Sequence, residues 1–130
     1  MININAGMFF VISVFALSGS VHAERLSGQE IQSVFAGRTA NCIKTKDDSL
    51  CNTFMSRDGK VTRHTMKDNK IRPGTWHASK GDQLCIRWKG KKKDSCFDIM
   101  SNGNGTYNLD KKGKTKSIIT GLDAGNTISK

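Results

Sequence analysis

The stretch Leu84-Cys85-Ile86-Arg87-Trp88-Lys89-Gly90-Lys91-Lys92-Lys93-Asp94-Ser95-Cys96-Phe97-Asp98-Ile99-Met100 reads as a β-hairpin whose register tests itself. With the turn centred on Gly90 and Lys91, Cys85 falls opposite Cys96, Leu84 opposite Phe97, Arg87 opposite Asp94 and Gln83 opposite Asp98. One face then collects Leu84, Ile86, Trp88, Phe97 and Ile99, and the other collects the cysteines and an Arg–Asp pair. Apolar pattern, charge pairing and cysteine register agree on a single alignment. The same symmetry about Lys46-Asp47 sets Cys42 opposite Cys51 and Ile43 opposite Leu50. Directly opposed strand positions bring Cα atoms to the separation a disulfide requires, so the expected pairs are Cys42–Cys51 and Cys85–Cys96.

Working outward, the chain after Gly37 is punctuated as strands. Turn signals recur at Lys46-Asp47-Asp48, Arg57-Asp58-Gly59-Lys60, Asp68 to Gly74, Ser79 to Asp82, Lys89 to Lys92, Asn102 to Gly105 and Asp110 to Gly113. The segments between them predict about eight short strands, near 39–45, 50–56, 61–66, 75–78, 83–88, 95–100, 106–109 and 115–120. The expected fold is therefore mainly β, an antiparallel up-and-down meander closing into a small calycin-like barrel. One helix precedes it, at 27–37. Ser27 and Glu30 form a capping box, Leu26 can staple onto Ile31, Ile31, Val34 and Phe35 share a face, and Gly37 supplies a left-handed stop.

The N-terminus carries a different message. Met8 to Leu17 is apolar apart from Ser13, no charge precedes it, and Val21 and Ala23 are small residues at cleavage spacing. Ten such residues make about 15 Å of helix, half of a bilayer core, so a signal peptide over 1–23 is expected and a permanent span is not. Removing 23 residues from 130 leaves 107 for a single domain, 24–130. All 21 Lys and Arg and all 11 Asp and Glu lie in that part, which takes the whole formal charge of +10. A domain of this size buries only about two-thirds of its unfolded surface, so cross-links matter. Four cysteines in an exported chain read as two disulfides, each closing a loop of about ten residues and stabilising it by roughly 2.5–3 kcal/mol on the chain-entropy model. The Cys85–Cys96 bridge, between the more apolar strands, is expected to matter more. Zinc is disfavoured by the lack of a Cys-x-x-Cys step or a His at ligand spacing, and redox chemistry by the same spacing.

Leu26-Ser27-Gly28-Gln29-Glu30, Phe35-Ala36-Gly37-Arg38-Thr39, Phe54 with Asp58-Gly59, Gly74-Thr75-Trp76, Leu84-Cys85-Ile86-Arg87-Trp88, Cys96 and Tyr107 follow one another in an order that resembles a small bacterial periplasmic family catalogued as domain of unknown function 995. The resemblance covers most of the chain after the leader and implies a periplasmic location and this fold. The family has no established chemistry, and the Lys-rich loops and the Cys42–Cys51 pair are not assigned to it.

For function the residues offer little catalytic machinery. His64 and His77 are the histidines outside the leader, and no Gly-x-Ser-x-Gly, His-Glu-x-x-His or phosphate-cradling glycine loop accompanies them. No enzyme activity and no cofactor are expected. Trp76, Trp88, Phe54 and Phe97 are candidates to line a ligand pocket, with core filling as their commoner use. Arg87, Trp88, Lys89, Lys91, Lys92 and Lys93 form the densest basic run, and Lys111, Lys112, Lys114 and Lys116 a second. A Trp among cations suits contact with a polyanion, and export favours lipopolysaccharide or an acidic wall polymer over nucleic acid. The expected function is a non-catalytic exported binding or structural module. The alternative is an interaction or inhibitor protein that docks through its basic turns on an anionic polymer or another envelope protein.

Overall fold

A computed structural model of the chain describes residues 23–128. The apolar run Met8 to Leu17 and Val21, on which the signal-peptide reading rests, lie outside the described residues. The elements are β1 (Glu24–Arg25), α1 (Gly28–Phe35), β2 (Arg38–Lys44), β3 (Ser49–Met55), β4 (Lys60–Thr65), β5 (Lys70–Ala78), β6 (Leu84–Trp88), β7 (Ser95–Ser101), β8 (Tyr107–Lys111) and β9 (Lys114–Ala124). Each strand from β2 onward pairs antiparallel with the next, and β9 returns to pair with β2, which closes an eight-stranded barrel. The two-residue β1 lies against Met100 and Ser101 of β7.

Both expected hairpin registers are present. Cys85 faces Cys96 and Leu84 faces Phe97, while Cys42 faces Cys51 and Ile43 faces Leu50. Disulfides join Cys42 to Cys51 and Cys85 to Cys96, and the described residues hold no free cysteine. Arg87 Nε lies 2.8 Å from Asp94 Oδ1, and Gln83 Nε2 donates to Asp98 Oδ1 at 3.1 Å. The Cys85–Cys96 bridge sits on the outer wall, on the opposite face from Leu84, Ile86 and Trp88. Cys42 and Cys51 point into the barrel and belong to its core.

The helix is shorter than 27–37 because Ser27 is its cap and Gly37, at φ +78°, lies past its end. Ser27 Oγ accepts from Glu30 N and Ser27 N donates to Glu30 Oε1, completing the capping box. Ile31 and Phe35 are fully buried, and the Phe35 ring meets Tyr107 edge-on with centroids 5.6 Å apart. The helix thus plugs one end of the barrel. Below it Ala40, Met55, Val61, Trp76, Leu84, Ile86, Ile99 and Ile119 fill the interior, and Trp76 Nε1 donates to the Ser56 carbonyl at 2.8 Å.

Two boundaries differ from expectation. Residues 70–74, read as part of a turn, belong to β5. Pro73 stands opposite Thr62, and its carbonyl accepts from Lys89 N just beyond the end of β6. The N and O of one strand residue point to the same side, so the missing N–H of Pro73 faces a position that asks for no donor. At the other boundary β9 continues to Ala124, because a bulge at Asn41/Cys42 shifts the register and lets Gly121 to Ala124 pair with Asn41 to Arg38.

Candidate functional site

The turns joining β2 to β3, β4 to β5, β6 to β7 and β8 to β9 all gather at the end opposite the helix, and there the interior is open. Strand alternation dictates what lines it. On β4, Val61 points to the core, so Arg63 two residues on points inward as well. On β5 the inward positions running up from Trp76 are Gly74 and Arg72, and on β6 Trp88 follows Ile86. Arg63 and Arg72 are directly opposed, as are Gly74 and Trp88. With no Cβ at Gly74, the β6 backbone at Arg87 and Trp88 can approach closely, and both guanidinium carbons lie over the Trp88 ring, Arg63 at 4.9 Å and Arg72 at 4.6 Å from the centroid. Across the mouth the Lys111 ammonium stands 5.5 Å from the centroid of Phe97.

These side chains border two recesses. One of about 480 Å³ is lined by Lys44, Arg63, Phe97, Leu109, Lys111 and Ser117 among others. Another of about 750 Å³ lies between Arg72, Trp88, Lys91, Lys92, Lys93, Lys111 and the Asp94 carboxylate. The barrel interior is therefore packed at the helix end and hollow at the other.

The charge in this mouth is mostly cationic, with Asp94 at one recess and Asp47 near Lys44 as its carboxylates. The ion pairs among the described residues are Arg25–Asp98, Lys60–Asp58, Lys67–Asp47 and Arg87–Asp94, and none engages Lys44, Arg63, Arg72 or Lys111. Arg63 donates from Nε to Thr53 Oγ1 at 3.2 Å, with both terminal nitrogens left to the cavity. Burial first, and the Arg72 charge second, lower its pKa from 12.5 to about 10. Burial likewise pulls Lys44 below its ordinary value, helped by Arg63 and Lys46 and opposed by Asp47. Such a cluster holds its charge at neutral pH at a cost that an incoming anion would relieve.

The basic run read from the sequence divides across the barrel wall. Trp88 points inward. Arg87 lies outside, paired with Asp94, and Lys89, Lys91, Lys92 and Lys93 are exposed at the rim. Lys111, Lys112, Lys114 and Lys116 form a second rim group on the next hairpin. Of the proposed pocket aromatics, Trp88 and Phe97 line the recesses and Trp76 is core. Phe54 is outside, opposite Thr39 and Thr62 on the outer wall. His64 bonds Asn69 Oδ1 from the outer surface at 2.7 Å. His77, Cys85 and Asp94 place ligand atoms within 4.8 Å of one another, but the Cys85 sulfur is spent in its disulfide. Arg63 and Arg72 escaped the sequence reading; the period-two placement of Val61 and Arg63 was the available signal.

Fold and mouth together define a small closed antiparallel barrel with a cationic open end. No family model, curated protein or solved structure matches the chain.

Proposed function

We propose that this is an exported, non-catalytic binding protein that receives an anionic ligand of the cell envelope at its open barrel end. The observation that carries this reading is the set of inward cations, Lys44, Arg63, Arg72 and Lys111, which have no carboxylate partner among the described residues and are ringed by lysine-rich hairpin tips. Directly opposed like charges destabilise a sheet, and half-buried Arg63 faces exposed Arg72 in this way. Export is supported by the leader-like N-terminus and by two disulfides, which persist in oxidising compartments. No helix among the described residues is long and apolar enough to cross a membrane. Membership of the family catalogued as domain of unknown function 995 is proposed on the motif order alone.

The test is retention on an immobilised acidic polymer, lipopolysaccharide or heparin, at low and physiological salt. Binding should weaken steeply as salt rises, because neutralised charges release counter-ions and exposed charges are screened over about 8–10 Å. Changing Lys89, Lys91, Lys92 and Lys93 together to Glu should abolish retention and leave thermal stability almost unchanged, since exposed turn charges contribute little to it. Equal retention of the two proteins would refute docking through this rim.

A second reading rests on the outer wall. Ile118, Ile43 and Leu50 are successive cross-strand partners, Met66 N bonds the Leu50 carbonyl, and Ile71 lies near on β5. Leu50 is 51% exposed and Ile71 48%. An exposed apolar row of this kind suits docking on an envelope protein.

A further inference from the structure

From the Arg63–Trp88–Arg72 stack and the recess beside it, we infer a discrete binding site for a free amphiphilic anion: one phosphate or carboxylate headgroup carrying a short apolar chain. The inference rests on the anion-binding reading above and specifies its ligand.

The headgroup end is built from groups that suit an oxyanion. Arg63 keeps its Nη nitrogens unbonded within the described residues while Nε is anchored on Thr53, so the guanidinium is aimed before any ligand arrives. Arg72 lies directly across from it, and both are steadied by the same indole ring. Two opposed planar forks, one anchored on Thr53 and one exposed at the mouth, suit bidentate recognition of a phosphate or carboxylate. The recess that Arg63 lines is apolar at Phe97 and Leu109, and Leu109 is core, while Arg72 and Trp88 border the neighbouring recess. A recess of about 480 Å³ falls within the roughly 300–1,000 Å³ typical of small-molecule sites. A bare inorganic anion would leave that apolar end wet, and an apolar molecule would leave the guanidiniums uncompensated.

The experiment titrates the exported protein, with both disulfides formed, with octyl phosphate while following tryptophan fluorescence. Trp88 reports because its stacked cations shift toward the ligand, and Trp76, hydrogen-bonded in the core, serves as a constant background. Octyl phosphate should bind saturably, at least 10-fold more tightly than inorganic phosphate. Arg63→Gln and Arg72→Gln should each weaken octyl phosphate binding 10-fold or more without lowering the melting temperature. Trp88→Phe should remove the fluorescence change, and calorimetry should still detect binding. No saturable binding of octyl phosphate, or equal affinity in both Gln variants, overturns the site, as does uptake only from vesicles containing phosphatidic acid. Retention on the polymer in the same samples shows whether the broader reading survives that failure.

Discussion

Arg63 and Arg72 stand directly opposite each other on β4 and β5, with Trp88 beneath both guanidiniums and no carboxylate paired to either among the described residues. The indole compensates only part of what water would have given these charges. In a barrel that packs its other half with aliphatic and aromatic groups, the arrangement trades stability for a prepared cationic surface.

Arg63→Met should therefore raise the melting temperature of the ligand-free protein by several degrees while removing small-anion binding. The direction follows from the lowered pKa. A cation whose folded pKa of about 10 lies below its unfolded 12.5 opposes folding wherever it is charged, and that penalty fades as pH climbs through the window between the two values. Thermal melts of both proteins at neutral pH check it; a fall in melting temperature would show that the Thr53 bond and the Trp88 contact outweigh burial of the charge.

The two bridges should rank in the reverse of the order read from the sequence. Cys42, Cys51 and Cys85 are 3%, 1% and 2% exposed, but only Cys42 and Cys51 point into the barrel core, and Cys96 is half-buried on the outer wall. Replacing Cys42 and Cys51 with Ala loses the roughly 2.5–3 kcal/mol of loop closure and leaves a void as well. Replacing Cys85 and Cys96 should lose the loop closure and a smaller buried contact, at Cys85 alone. Denaturant melts of the two double variants decide the order.

Gly74→Ala should destabilise by about 1–3 kcal/mol, the usual range for overpacking. A Cβ there would lie 2.5 Å from the Arg87 carbonyl oxygen and 3.1 Å from the Trp88 Cα, so β5 and β6 must part. Gly90→Ala provides the contrast. Its φ is +84° with nothing within 4 Å, so only backbone strain of about 1–2 kcal/mol is incurred. Trp88 fluorescence should shift in the first variant and stay constant in the second.

Asp47 gives the acid limb a traceable component. Ser49, whose backbone N–H donates to Asp47 Oδ1 at 3.1 Å, and secondarily Lys67, lower its pKa from 3.8 to about 2. A depressed carboxylate stabilises the fold above its unfolded pKa, and that contribution is lost as pH falls through about 2. Asp47→Asn should melt below the parent at pH 7 and match it near pH 2. A gap that stays constant with pH would mean that the turn geometry, and not the charge, is responsible.

How much of this was legible in the sequence depends on whether a residue had a partner that constrained it. Cys85 and Cys96, Arg87 and Asp94, and Leu84 and Phe97 vote for one register together, so that hairpin could be placed to the residue. Ser27 and Glu30 did the same for the helix start. Arg72 had no such partner. Pro73 and Gly74 beside it are turn formers by composition, and only their position past the end of β6 makes them strand. Once that strand was truncated, the Arg63–Arg72 pair could not be seen. The bulge that lengthens β9 is invisible for a related reason, because it answers to barrel closure and not to local preference.

Each cysteine pairs with its nearest cysteine neighbour along the chain, across 9 and 11 residues. A chain threading through a translocation pore from its N-terminus would present Cys42 and Cys51 together, and later Cys85 and Cys96 together. An oxidase that joins thiols in order of emergence therefore makes the native bonds on its first attempt. Both bridges can close before β9 comes back to meet β2, so maturation would depend on the supply of oxidant and need no reshuffling by an isomerase.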